Sequence, residues 1–392
     1  MVEDQRAEGG AGAPEGASAP EGASAPGSAG APGPILAFAT QGAGHLDAQR
    51  LRELLAPLGA EELDFDRGHR LRAALGLWRR AGRTRPRLIV MEGTGIAPGM
   101  CVLALRTLRG IPYVVSSGDA VGPYLALSSR AAGLVGAAYE RLLCRHCAGY
   151  IGWTPYLAGR ALSFGAPRAM TAAGWARERA PAGSRERVRE RLGIREDALV
   201  AGIVGSLNWR RRINYAYGAE LVRAVRRTQR RDLVAVIVGD GPGAEPLREL
   251  AGEELGSRIL MPGRVAPEEV GELLAAFDLA SLPQSVDRVG SFRYSTKLSE
   301  YLAAGLPIAT SQIPAAYDLD DGFCWRLPGP SPWSEDYVEA LARLLEGLEP
   351  ADLQRHRTAA LAAHEATATF DRAAQVQRVR AFVGDILSSA AP

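Results

Sequence analysis

The sequence predicts an α/β protein made of two doubly wound, parallel-sheet domains followed by a helical C-terminus. Three observations carry this. Short apolar runs recur, each ending in a glycine-bearing turn and then a helical pattern, the rhythm of parallel strands covered on both faces by helices. The rhythm breaks once, at a polar, arginine-rich passage (Ala176–Asp197), and then resumes. A chain of 392 residues is long enough to build two separate cores.

Residues 1–34 are a Gly/Ala/Pro/Ser/Glu tract in which "PEGASA" occurs twice in succession. It has almost nothing to bury and reads as a disordered tail. At Ile35 the character changes: "ILAFA" is a strand, "TQGAGH" a glycine loop, and Leu46 to Leu58 a helix. "RLIVM" (Arg87–Met91) runs into "EGTG", and "PYVVS" (Pro112–Ser116) into "SGDAVG". "YIGW" (Tyr150–Trp153) precedes a helix opened by Thr154-Pro155, with proline at its favoured first position. These elements make a first domain over 35–175.

The arginine-rich passage reads as a linker running into a surface helix whose charges face solvent. Beyond it "LVAGIVGS", "LVAVIVGDG", "RILMPG", "DLASLP" and "LPIATS" are strands of a second domain over 176–365. Helical patterns follow at Tyr337–Leu348 and from Ala351 to Leu387 with breaks. The last segment, 366–392, is expected to be a helix returning to the first domain.

Composition narrows the function. Hydrophobic residues are 47% and charged residues 23%, a soluble globular balance. No apolar run approaches the roughly 18 residues of a membrane span, and no secretory signal opens the chain. Four cysteines do not make a disulfide framework, so a cytoplasmic setting is expected. The first 34 residues carry five acids against one arginine, or −4 of a total of +2, leaving +6 elsewhere. That excess suits a small anionic ligand and is too weak for nucleic acid. Cys144 and Cys147 supply at most half a metal site, and at i, i+3 on a helix they read as buried packing. No exposed aromatic–basic amphipathic helix stands out, which favours a small soluble acceptor or substrate over a membrane-bound one.

Ligands of open parallel sheets bind at the carboxyl ends of the strands. The unusual residues of the second half gather there: Gly205-Ser206 with Arg210, Arg211 and Arg212, then Gly239-Asp240-Gly241, then Gly263-Arg264, then a long loop ending at Lys297 and Glu300. Lys297 is the sole lysine of a chain with 46 Lys plus Arg. Each feature has a plainer explanation. Gly239-Asp240-Gly241-Pro242 can be a tight turn, the arginines surface charge, and Lys297 with Glu300 an exposed helical ion pair. Against these, Ser295 or Thr296 can cap a helix beginning beside Lys297, and such an N-terminus is an anion site. A lysine in a first turn opposes the helix dipole unless an anion is shared.

The order "GSLNWRRRINY", "VGDGPGAEPLREL", "MPGRVAPEEVGELLAAFDLASLP", "STKLSEYLAAGLPIAT" resembles the second domain of retaining glycosyltransferases of the GT-B fold, family four, over about Leu199–Ser311. "RLLCRHCAGYIGWTPYLAGRAL" resembles the last unit of that family's first domain. The resemblance implies a nucleoside diphosphate sugar in a cleft between two Rossmann-like domains. It implies diphosphate contacts from Gly42, Gly44, Arg211, Arg210, Ser295, Thr296 and Lys297. Nucleoside contacts would come from Gly239, Gly263, Arg264 and Glu300, with Glu300 on the ribose. Three departures stand out: Ser206 replaces a common arginine, Phe292 occupies the counted position of the earlier glutamate of a paired signature, and Gly118-Asp119 stand where many members carry histidine.

The reaction so implied needs no cofactor beyond the sugar nucleotide and no metal, because cations and amides neutralise the leaving diphosphate. Candidates for activating the acceptor are His45, Asp119 and Glu92, each at the carboxyl end of a first-domain strand. The alternatives are a GT-B sugar-nucleotide epimerase, a pseudo-glycosyl coupling enzyme, or a non-catalytic nucleotide-sugar-binding protein. The oligomeric state is open.

Overall fold

The computed structural model describes residues 33–176, 180–293, 295–366 and 369–389; the tail expected over 1–34 lies outside these up to residue 32. Among the described residues twelve strands form two sheets. The first holds β1 (Ile35–Ala39), β2 (Glu61–Glu62), β3 (Leu88–Glu92), β4 (Tyr113–Ser117), β5 (Gly149–Gly152) and β6 (Ala169–Thr171) in the order β2-β1-β3-β4-β5-β6. The second holds β7 (Leu199–Val204), β8 (Leu233–Val238), β9 (Ile259–Gly263), β10 (Leu279–Leu282), β11 (Ile308–Ser311) and β12 (Cys324–Leu327) in the order β12-β11-β10-β7-β8-β9. All pairings within both sheets are parallel. This is the two-domain GT-B architecture that the motif order implies.

Alternation along each strand feeds two cores per sheet. In β1, Leu36 and Phe38 enter one cluster with Ile89, Met91 and Tyr113, while Ile35 and Ala37 enter the other with Leu51, Leu54 and Val90. In β7, Leu199, Ala201 and Ile203 face one side and Val200 the other. The sheets reverse their winding between β1 and β3 in the first and between β7 and β10 in the second. Those two switch points are where crevices open.

One expectation changes. The helix of the arginine-rich passage, Ser184–Arg191, is no simple solvated face. Arg189 is buried and donates to Ala276 O, Glu196 O and Ala198 O, and it pairs with Asp278 at 2.7 Å. Arg185 meets the same carboxylate at 2.6 Å. A guanidinium's five donors can satisfy several carbonyls at once, so these arginines brace the start of the second half. Cys144 and Cys147 are buried in the first half, and burial pushes the Cys147 thiol up to about 12. The final helix, Arg372–Ser389, sets Val379, Val383 and Ile386 among the core residues of β1 and β3 and pairs Arg372 with Glu53 at 2.8 Å.

Beneath the second switch point Glu220 is fully buried. Its Oε2 accepts from Tyr215 OH (2.9 Å) and Gly218 N (3.1 Å), and its Oε1 accepts from Ser281 Oγ on β10 (3.0 Å). Burial raises its pKa above the ordinary 4.5, and no cation opposes that shift. Folding therefore favours the protonated form. The associated stability is full below the ordinary value and is lost as pH rises through the folded value. Glu220→Gln keeps every contact, because its amide oxygen accepts from Tyr215 and Gly218 while its NH2 donates to Ser281. Melting temperature followed against pH should decline less for Glu220→Gln than for wild type above the carboxylate range. Glu220→Ala strands three donors and should cost about 2–5 kcal/mol at any pH.

Candidate active site

A cleft of about 1730 Å³ opens where the carboxyl edges of the two sheets face each other. From the second half it is walled by Gly205, Ser206, Gly239, Asp240, Gly241, Arg264, Thr296, Lys297 and Glu300. These come from the ends of β7, β8 and β9 and from the helix Thr296–Ala303 that follows β10. The first half contributes Leu46, Gln49, Arg50, Glu53 and Trp153.

The second-half wall depends on glycines for close approach. Gly239 holds φ +141°, and a Cβ there would lie 1.8 Å from the Gly205 carbonyl oxygen. Gly205 N donates to Val238 O (2.9 Å), Gly239 N to Gly263 O (2.9 Å), and Leu207 N to Asp240 O (3.0 Å). Gly239 and Gly263 thus serve the wall through backbone packing. Gly205 in turn leaves room for Lys297, since a Cβ there would fall 2.7 Å from Lys297 Cε and 3.2 Å from its Nζ. Lys297 and Gly205 meet at the β7/β10 switch point.

No ion pair joins Lys297 to Glu300 among the described residues, so the exposed-pair explanation does not describe this helix. The nearest aromatic face to the ammonium is Tyr217, its ring centre 6.0 Å from Nζ. Ser295 stands at the N-cap of the Thr296–Ala303 helix without a side-chain cap bond, contrary to the expected capping. The amide of Leu298 is met by Ser295 O at 3.0 Å. Thr296 and Lys297 open the helix into the cleft.

The other phosphate candidates lie apart from this wall. Arg210 and Arg211 are exposed on the loop after β7, outside the cleft lining, and Arg212 reaches across to donate to Leu127 O at 3.3 Å. Gly42, at φ +100°, and Gly44 form the turn after β1, and neither lines the cleft. At the start of the helix Leu46–Leu55, His45 Nδ1 lies 3.1 Å from the Asp47 carboxylate, whose hydrogen bond to the ring raises the His45 pKa. That occupies Nδ1 at the cleft's edge.

Glu92 does not reach the cleft. It is 1% exposed and bonded to Arg50 Nη1 (2.7 Å) and Trp153 Nε1 (3.0 Å). Arg50 also donates to Ser116 Oγ (3.3 Å) and Ala172 O, with its guanidinium 4.4 Å from the Trp153 ring centre. Burial pushes the Glu92 carboxyl up, against the pull of Arg50. Glu92, buried and bonded to two donors, holds Arg50 and Trp153 in the cleft floor. The sequence pointed to Glu92 and missed Arg50 and Trp153, whose role shows only when β3, β5 and the first helix converge.

Asp119 is committed as well. Its Oδ1 accepts from Arg293 Nε at 2.7 Å, across from the first half to the second. Burial opposes the Arg293 charge, and Asp119 with Tyr217 outweighs it, so the Arg293 pKa stands above the ordinary value. Neighbouring contacts follow the same path. Thr154 Oγ1 donates to Phe292 O (3.0 Å), Arg160 lies 5.3 Å from the Phe292 ring centre, and Tyr156 OH bonds to Asp318. Phe292, at the counted place of the family's earlier glutamate, packs against the core of the first half. Among the described residues no group of three His, Cys, Asp or Glu side chains is placed to hold a metal ion.

Residues 198–347 match the family model described as glycosyl transferases group 1. Among solved structures, HepE of Anabaena in complex with UDP-glucose is 16% identical with a TM-score of 0.69, covering 90% of this chain and 99% of that one. Sucrose-phosphate synthase of Thermosynechococcus elongatus is 14% identical with a TM-score of 0.69, covering 91% and 100%. A protein assigned as a UDP-N-acetylglucosamine 2-epimerase in Listeria monocytogenes is 13% identical with a TM-score of 0.58, covering 92% and 98%. No curated protein matches the sequence.

The Asp119–Arg293 pair makes a measurable claim about closure. Asp119→Asn and Arg293→Gln should each open the cleft, seen as a larger radius of gyration in small-angle scattering. Their double-mutant cycle should show coupling of roughly 0.5–1 kcal/mol, modest because the carboxylate is half exposed. Additive single effects and unchanged scattering would show that the pair does not hold the halves together.

Proposed function

We infer that this chain, a group 1 glycosyltransferase over residues 198–347, moves a glycosyl group from a nucleoside diphosphate sugar to an acceptor hydroxyl. The observation that carries the reading is Lys297 lodged against Gly205 at the β7/β10 switch point, with Glu300 one turn along the same helix. A lysine in the first turn of a helix opposes the dipole, and a diphosphate shared with the helix amides removes the conflict. As the sugar–phosphate bond breaks, negative charge grows on the leaving diphosphate, and Lys297 with those amides stabilises it without reorganisation. Glu300 has the acceptor oxygens to take two ribose hydroxyls. Arg264 on the β9 loop is the neighbouring group for the base.

The finer features are part of the same proposal. Transfer proceeds with retention and without metal or further cofactor, in the cytoplasm. The acceptor group is small and hydroxyl-bearing, and enters from the first-half face over Trp153 and Arg50. Asp119 and Glu92 are already bonded within the protein, which fits a retaining reaction in which the departing phosphate takes the acceptor proton. His45 keeps Nε2 available at the edge and has the weakest claim to chemistry.

A thermal-shift panel of UDP, GDP, ADP and dTDP tests the donor, with UDP first because the HepE structure holds UDP-glucose; binding to the native state alone raises the melting temperature. Calorimetry should then show Lys297→Ala binding that nucleotide roughly ten- to a hundredfold more weakly. Glu300→Gln should weaken it with the free protein's melting temperature unchanged. Wild-type affinity in both variants would sink the assignment. Incubation with donor alone separates transfer from epimerisation, since only an epimerase converts the sugar without an acceptor.

A further inference from the structure

The cleft does not end at the Lys297 wall. It continues between the helix Val270–Ala275, which leads into β10, and the helix Pro350–Ala366, where Arg185, Glu186, Ala275, Arg357 and Leu361 line it. Asp278 directly precedes β10, so this stretch lies at the amino edge of the second sheet, opposite the carboxyl edge where Lys297 stands. Three guanidiniums gather around that one carboxylate. Arg185 Nη2 meets Asp278 Oδ1 at 2.6 Å, and Arg189 Nη2 meets Oδ2 at 2.7 Å. Oδ2 also accepts from Val200 N at 2.8 Å. Arg357 is the third. Its one hydrogen bond among the described residues is a long one, from Nη2 to Phe277 O at 3.4 Å, and no carboxylate pairs with it there.

Phe277 O accepts from Arg185 Nη1 as well, at 3.2 Å, so two guanidiniums that line the cavity converge on a single carbonyl oxygen. An arginine with no partner normally extends into water, which hydrates its charge best. Arg357 instead lies half-buried beside two further cations. Burial, Arg185 and Arg189 push its pKa below the ordinary value, against the pull of Asp278. The charge balance gives the class of ligand. Three arginines against Asp278 leave two positive charges, and Glu186 on the cavity wall reduces that to one. A phosphate monoester carries roughly one and a half to two negative charges at neutral pH and has oxygens for two guanidiniums at once. A diphosphate carries more charge than this end of the cavity balances.

We propose that Arg185 and Arg357 form a second anion site, separate from the donor wall, that takes a single phosphate group, free or carried by a phosphorylated metabolite. Its position bears on how the halves meet. The chain crossing from the first half enters the helix Ser184–Arg191, which carries Arg185, and the chain returning to the first half leaves the helix that carries Arg357. Trp175, Pro181, Phe370 and Arg372, beside those two crossings, line the same cavity. A phosphate shared by the two arginines joins the helices from which both crossings depart, whatever the donor wall holds.

The test is equilibrium dialysis of the full chain against radiolabelled inorganic phosphate at fixed ionic strength. Wild type should bind it, and Lys297→Ala should retain that binding. Arg357→Gln should bind it about ten- to a hundredfold more weakly. In phosphate-free buffer Arg357→Gln should melt no lower than wild type, because it removes a cation facing two others and loses one long hydrogen bond. Competition with hexose 6-phosphate separates the sources. Displacement at a lower concentration than unlabelled phosphate needs identifies a phosphorylated metabolite, and equal displacement identifies the phosphate group alone. Wild type that binds no phosphate overturns the proposal, as does an Arg357→Gln variant that binds it equally well. A lower melting temperature for Arg357→Gln makes Arg357 a structural brace and also overturns it. Binding lost in Lys297→Ala and kept in Arg357→Gln assigns the phosphate to the donor wall, which sinks this site while supporting the donor reading.

Discussion

The second-half wall of the cleft exists because backbone lies against backbone where the second sheet reverses its winding. The Gly205 carbonyl oxygen occupies the space that a Cβ on Gly239 would need, and Gly205 itself gives up a side chain to the stem of Lys297. Two missing methyl groups thus bring three strand ends and one ammonium into a single surface. Behind it Glu220 joins the β7 loop to β10 through Tyr215 and Ser281, so the same register is held from inside the core. A shift of either strand end would separate Lys297 from the loop it faces.

The two halves divide the labour between rigidity and motion. In the first, Glu92, Arg50 and Trp153 form a buried hydrogen-bonded floor that rotamer changes cannot alter without stranding a charge. Across the mouth, Asp119–Arg293 and Arg212–Leu127 are partly exposed contacts between halves. Contacts of that kind cost little to break. Phe292 joins the two halves: it belongs to the loop between β10 and the Thr296–Ala303 helix and ends against the first half's core. An aromatic side chain thus anchors this loop to the opposite half.

Legibility in the sequence followed burial. The central strands, β1, β3, β4, β5, β7, β8 and β10, are continuous apolar runs because helices cover both faces, and they read clearly. The strands the sequence reading passed over were β2, β6 and β12, two to four residues each and all at sheet edges. An edge strand is defined by its neighbour's register more than by its own pattern, so Glu61–Glu62 carries no strand signal at all. The arginine-rich passage misled for a related reason. Arg189 looks like surface charge until Asp278 and three carbonyls surround it.

What the sequence determined by itself is the class of fold, the order of the motifs and the four loops on one sheet edge. Those depend on local features: apolar runs, glycine turns, and a lone lysine ahead of a helix. What only the tertiary structure decided is which charges remain available. Glu92 and Asp119 read as reactive carboxylates, and each was already engaged by an arginine distant in sequence, Arg50 and Arg293. Lys297 read as a phosphate contact with a helical ion pair as the plainer alternative, and in the fold its stem stands against a glycine from another strand. Electrostatic partnership and exposure are properties of distance in space, and distance in space is what a linear chain does not record.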